Sequence, residues 1–247
     1  MISNLAKNLI HSIDLLLYPS VCQFCDSPVL NSNTGFVCKR CQKKTHRVSA
    51  PWCLKCGIPY NNDHLLTSDC NYCSKMKFSR ARSLFIAEGV PREIVHQLKY
   101  NQHEYFEPLV KIWLRDILKL DLYKLPKAII PVPLHPVKQR ERGINQSETI
   151  AYIASNYIKA PVNTKLLRRI RDTQSQTALT KGMRKKNVKD AFSCSEKIDN
   201  GQFLIVDDVM TTGATANECA KTLIQNGASA VEIFTLTRGM PLDYACS

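Results

Sequence analysis

The sequence predicts an α/β protein: a parallel sheet with helices on both faces, preceded by a small cysteine-rich module. Three observations predict it. Phe203, Leu204, Ile205 and Val206 form an unbroken apolar run that ends in two adjacent carboxylates, Asp207 and Asp208; such a run suits a strand covered on both faces. Short apolar strands alternate with helical periodicities from about residue 80 to 240, the pattern of a parallel sheet. Eight of the eleven cysteines fall into four C-x2-C pairs, all before residue 77, where the composition shifts.

The outer bounds agree. A chain of 247 residues with 44% apolar content suits one sizeable domain and an appendage. Ile2, Leu5, Leu9, Ile13, Leu16 and Leu17 are spaced as an amphipathic helix over residues 1–20, which docks on the protein or a partner or lies on a membrane surface. Lys7, His11 and Asp14 interrupt it, so neither a membrane-spanning segment nor a signal peptide is expected. A net charge of +13 makes polyanions plausible partners without choosing among them.

The pairs Cys22/Cys25, Cys38/Cys41, Cys53/Cys56 and Cys70/Cys73 are separated by 12, 11 and 13 residues, enough for a short hairpin. Two-residue spacing lets both thiolates converge on one tetrahedral ion, and disulfides have no need of it. Two structural zinc ribbons over residues 21–77 are predicted, each closed by four cysteines. Sequential sharing is the default; interleaved sharing stays open. Thiolate-rich sites imply a reducing compartment, hence the cytoplasm. Lys39, Arg40, Lys43, Lys44 and Arg47 crowd the second knuckle with Phe36 and Trp52 nearby, and both a solvated basic face and a nucleic-acid contact fit them.

In chain order, Ser83–Ala87 reads as a first strand and a helix starts near Pro91, closing at Lys99, which stands where it can face a site. Phe106, Leu109, Val110, Trp113, Leu114, Ile117 and Leu118 mark a second helix. Ala128–Val132 is a short buried strand. Pro131, Pro133 and Pro136 then predict an extended loop carrying His135, Lys138, Arg140, Arg142 and Asn145, a cationic stretch suited to pyrophosphate. Helix resumes with Ser147 as cap. Residues 168–189 are strongly basic and aperiodic; a loop over the site is expected, while a solvated basic loop and a nucleic-acid track also fit them. Val231–Thr237 is the last strand, with Arg238 and Gly239 at its carboxyl end.

The decisive stretch is Phe203–Thr215, FLIVDDVMTTGAT. Its polar cluster sits at a strand's carboxyl end, where open α/β sheets bind ligands. Thr215–Glu218 fit a capping box, so the loop opens onto a helix N-terminus that favours anions. Two carboxylates repel a phosphate but accept hydrogen bonds from vicinal hydroxyls; a sugar phosphate satisfies both halves.

These residues resemble the ribose-5-phosphate signature of type I phosphoribosyltransferases. PVPLH, RERGINQSE and Asp172–Phe192 resemble the ComF family of phosphoribosyltransferase-like competence proteins, which carry N-terminal zinc ribbons. The resemblance implies a type I phosphoribosyltransferase-like domain over residues 80–240 binding 5-phosphoribosyl-1-pyrophosphate with Mg²⁺. Asp207 and Asp208 would meet the ribose hydroxyls, Thr211, Thr212, Gly213, Ala214 and Thr215 the 5-phosphate, and Lys138, Arg140 and Arg142 the pyrophosphate. Lys99, Arg171, Thr173, Gln176 and Arg184 complete the ligand set, and Asp207, Asp208, Lys138 and Arg142 would carry any chemistry. It further implies handling of incoming single-stranded DNA in natural transformation beside an ATP-driven translocase. The chain itself has no G-x-x-x-x-G-K-[ST] and no G-x-G-x-x-G after a strand, which excludes a P-loop motor and argues against a dinucleotide enzyme. A metabolic phosphoribosyltransferase acting on a small nucleophile is the second reading, and no residue stands out as its base.

Overall fold

The computed structural model describes residues 21–29, 36–60, 70, 73–99, 103–120, 122, 125–172 and 187–240. The amphipathic stretch expected over residues 1–20 lies outside them. Among the described residues the elements run α1 (Lys39–Lys43), β1 (Arg80–Ile86), α2 (Gly89–Gln97), α3 (His103–Leu114), β2 (Ala128–Pro131), α4 (Pro136–Arg142), α5 (Gln146–Ile158), β3 (Leu167–Arg169), β4 (Phe192–Cys194), β5 (Gln202–Met210), α6 (Ala214–Gln225) and β6 (Ala230–Arg238). Four strands form a wholly parallel sheet in the order β1-β6-β5-β2, while β3 and β4 pair antiparallel beside it.

Side-chain alternation sorts the core into two layers. Leu204, Val206, Phe234, Leu236 and Ile129 point to one face and pack with Ile94, Leu109, Trp113, Ile150 and Ala154 from α2, α3 and α5. Phe203, Ile205, Val231, Ile233 and Ile130 point to the other, against Ala216, Cys219, Ala220 and Leu223 of α6. The expected helices on both faces are present because β5 and β6 are buried at successive positions, leaving neither face to water.

Each ribbon joins one layer. Cys22, Val37 and Cys41 belong to the α2/α3/α5 core, with Phe24 stacked 6.4 Å from Phe106 and Phe36 5.7 Å from Tyr105. Cys53, Cys56, Ile58, Cys73 and Phe78 belong to the α6 core. Residues between the ribbons run along β1, with Val48 N–H on Leu84 O and Ile86 N–H on His46 O. Across the sheet, Ile129 N–H bonds Pro161 O and Asn163 N–H bonds Ile129 O, laying residues 161–163 along β2.

Three local expectations are corrected. Val132–His135 is extended as read, but Pro136 starts a helix instead of prolonging the loop, since a first-turn proline has no hydrogen bond to lose. The cap of α5 is Asn145, whose side chain accepts from Ser147 N–H, leaving the serine hydroxyl for other work. The capping box before α6 does not form: Gly213 caps the helix in a left-handed conformation, and Glu218 Oε1 accepts from Asp190 N–H at 3.0 Å.

Candidate functional site

The crevice lies where the chain leaving β2 turns to one face of the sheet and the chain leaving β5 turns to the other. Pro131 pairs with Val206, so Asp207 and Asp208 emerge just beyond the last paired residues of the two strands. Such a divergence at the carboxyl edge of an open sheet is where ligands bind.

Three consecutive residues build its floor. Asn145 Nδ2 donates to Val132 O at 3.1 Å, tying the start of α5 to the end of β2. Gln146 Nε2 donates to Asp208 Oδ2 at 3.2 Å, and Ser147 Oγ to Asp207 Oδ1 at 2.8 Å. Lys99, at the end of α2, places Nζ 3.2 Å from Asp208 Oδ2. The backbone N–H groups of Asp208 and Val209 bond Asp207 Oδ1 and Asp208 Oδ1 in turn. Gln146 Oε1 is buried with no hydrogen-bond partner among the described residues, an acceptor left over at the acid pair.

The two acids differ. Asp207 is pushed up to about 7, first by burial and then by the Asp208 charge beside it, against the opposing pull of the Ser147 hydroxyl, the Asp208 N–H and Lys99. Asp208 holds the lysine directly.

Beyond Asp207, Gly213 turns the chain through φ +73° into α6, and Ala214 N–H reaches Thr212 Oγ1 at 3.4 Å. Thr211, Gly213, Ala214 and Thr215 line a small cavity together with Asp207 and Thr235. This cavity sits at the positive end of a 12-residue helix.

Cations close the opposite side. Lys138 and Arg142 lie one turn apart on α4 and share a face, while Arg140, two residues along, is exposed on another. Burial and then the neighbouring Arg169 push Lys138 down. Arg169, on β3, is itself lowered by burial, an effect countered by Cys219, Asp207 and Asp172, and its guanidinium lies 5.6 Å from the Phe192 ring centre. Arg169 thus feels both the cations of α4 and the Asp207 charge. Sequence reasoning had placed it only in a basic run. No local pattern singles it out, because three-residue β3 sets Arg169 opposite Phe192 only by pairing with β4.

Arg171 Nη2 donates to Asn187 O at 3.0 Å and Lys189 O at 2.5 Å. Thr173, Gln176 and Arg184 lie outside the described residues.

In the ribbons, Cys22, Cys25, Cys38 and Cys41 form one cluster and Cys53, Cys56, Cys70 and Cys73 the other, so sharing is sequential. Sulfur pairs stand 3.6 Å (Cys25–Cys38 and Cys53–Cys73) and 3.8 Å (Cys56–Cys70) apart. Four thiolates at about 2.3 Å from one tetrahedral ion stand about 3.8 Å apart, so the donor sets fit zinc. The aromatics near the second knuckle are occupied, Phe36 by Tyr105 and Trp52 by Arg82, 5.4 Å from its ring centre; Arg47 bonds Asp116 Oδ2 at 2.5 Å. Lys39, Lys43 and Lys44 remain exposed.

Fold and metal sites together define a double-zinc-ribbon protein built on an open parallel α/β domain. Residues 13–77 match the double zinc ribbon domain family. Over 91% of this chain and 99% of its own length, the DNA utilization protein YhgH of Escherichia coli K12 is 31% identical. Competence protein F of Haemophilus influenzae is 31% identical over 82% of this chain and 90% of its own. Competence protein ComFC of Bacillus subtilis is 24% identical over 90% and 96%. The chain belongs to the ComF family that these proteins represent. A purine phosphoribosyltransferase structure from Pyrococcus horikoshii superposes loosely on 53% of this chain and 84% of its own at 16% identity, with a TM-score of 0.32.

Proposed function

We propose that the protein handles incoming single-stranded DNA during natural transformation, beside a separate ATP-driven translocase, and that its crevice binds 5-phosphoribosyl-1-pyrophosphate with Mg²⁺. One observation carries the ligand reading: Asp207 and Asp208 are pinned by Ser147, Gln146 and Lys99 directly before a loop that opens a helix N-terminus. A vicinal diol donates to the acids and to the leftover Gln146 Oε1, while a phosphate accepts from the Thr211–Thr215 loop. Lys138, Arg142 and Arg169 offer charge to a pyrophosphate. Asp207 and Asp208 are also the residues that would hold a divalent cation brought with that ligand; the ion would neutralise the pyrophosphate. The names of the relatives support the DNA role. So does the exposed lysine face of α1, which suits phosphate contacts.

Calorimetric titration of phosphoribosyl pyrophosphate with Mg²⁺ tests the reading on wild type and on Asp207→Asn with Asp208→Asn, with and without an oligonucleotide. Wild type should bind and the double variant should not. Single-strand binding should weaken steeply with salt; none at low ionic strength overturns the DNA role.

A transferase acting on a small nucleophile is favoured by one feature, the Asp207 carboxyl near neutrality, which suits it to trade a proton with an acceptor. Acceptor-dependent pyrophosphate release, abolished by the double variant, would establish it. No release with any base or amine would remove it.

A further inference from the structure

The second ribbon and the loop that opens α6 are built as one unit. Cys73 O accepts the Met76 N–H at 3.0 Å, so the knuckle sets where Met76 leaves the ribbon. Met76 then meets the loop: a Cβ at Gly213 would stand 3.2 Å from both its Sδ and its Cε. One residue on, Lys77 N–H donates to Asn217 Oδ1 at 2.6 Å, and Asn217 N–H in turn bonds Gly213 O at 2.8 Å.

The other knuckle of the same site is tied to the sheet below the loop. Arg238 Nη1 donates to Cys56 O at 2.5 Å, and Lys55 Nζ to Met76 O at 2.8 Å. Gly239, next after Arg238, bonds Met210 O through its N–H at 2.9 Å, and a Cβ there would stand 2.8 Å from Thr211 Cγ2. The segment leaving the second ribbon and the end of β6, itself tied to Cys56, therefore hold residues 211–213 from both sides. The first ribbon packs on α3, across the sheet.

A loop that captures phosphate through converging N–H groups must hold its shape before the ligand arrives, and a left-handed Gly213 costs chain entropy to keep. We propose that the second metal ribbon, through Met76 and Lys77, fixes the phosphate loop, so that the pocket is competent only while Cys53, Cys56, Cys70 and Cys73 hold their ion. This rests on the reading of Thr211–Thr215 as a phosphate site. The first ribbon has no such part.

The test uses the full zinc-loaded chain and two readouts: amide hydrogen exchange of residues 211–217, and titration with phosphoribosyl pyrophosphate and Mg²⁺. Met76→Ala and Asn217→Ala should each speed exchange of that segment and weaken binding about fivefold, the effect of losing one good contact. Phe24→Ala, which loosens the first ribbon, should change neither. Cys70→Ser should lower zinc content from two ions to one and speed the same exchange. Unchanged exchange in Met76→Ala and Asn217→Ala overturns the proposal, as does an equal effect of Phe24→Ala. If Cys70→Ser does not fold, the Met76 and Asn217 variants decide. If wild type binds no phosphoribosyl pyrophosphate, the pocket reading fails, and exchange alone decides the coupling.

Discussion

Asp207 shows how a single side chain records the work of a site. Its carboxyl is raised to about 7 from about 3.9 in an unfolded chain. A raised carboxyl contributes stability that is fully present below about pH 4 and is lost as pH rises through 7. The folded protein should therefore lose stability across that window. Asp207→Asn keeps an acceptor for Ser147 and removes the buried charge, so at pH 8 it should be more stable than wild type to urea unfolding, by on the order of 2 kcal/mol. At pH 4 the gain should vanish. A variant less stable than wild type at pH 8 would show that Lys99 stabilises the pair more than burial opposes it. Both acids were legible as a candidate site because a doubled carboxylate after an apolar strand is conspicuous. Their partners were not: nothing local marks Gln146 or Ser147 as reaching 62 and 60 residues along the chain.

Among the elements, legibility followed length and periodicity. β5 and α5 announce themselves through nine and thirteen residues of pattern. β3 and β4 have three residues each, too short for a period, and exist because they pair with one another. α4 was hidden by its own proline, read as a helix breaker when it was a helix start. The join between ribbon and sheet was invisible too, though it sets a severe constraint. Gly57 has φ +68°, and a Cβ there would stand 2.4 Å from Ala81 O, a backbone atom with nowhere to go. Gly57→Ala should cost roughly 2 kcal/mol or more in urea unfolding. A cost below about 0.5 kcal/mol would mean that the ribbon shifts freely on β1.

For the whole molecule, each ribbon lies in a core layer with sheet residues and helices of the main domain. A strong chelator should therefore lower the unfolding temperature of the entire chain in one transition. An unchanged α/β transition after zinc removal would show that the ribbons fold independently. Charge operates at this scale as well. Replacing Lys39, Lys43 and Lys44 with glutamine should reduce the salt slope of single-strand binding by about 2, at about 0.7 per phosphate contact. An unchanged slope would place the DNA elsewhere.

The two margins of the sheet carry one last consequence. Residues 46–48 lie along β1 and residues 161–163 along β2, so neither outer strand offers a bare row of amides and carbonyls. Along those stretches a partner finds no free margin on which to add a strand, and two copies cannot pair there edge to edge. Binding at the sheet is left to side chains and to the loop N–H groups at its carboxyl edge.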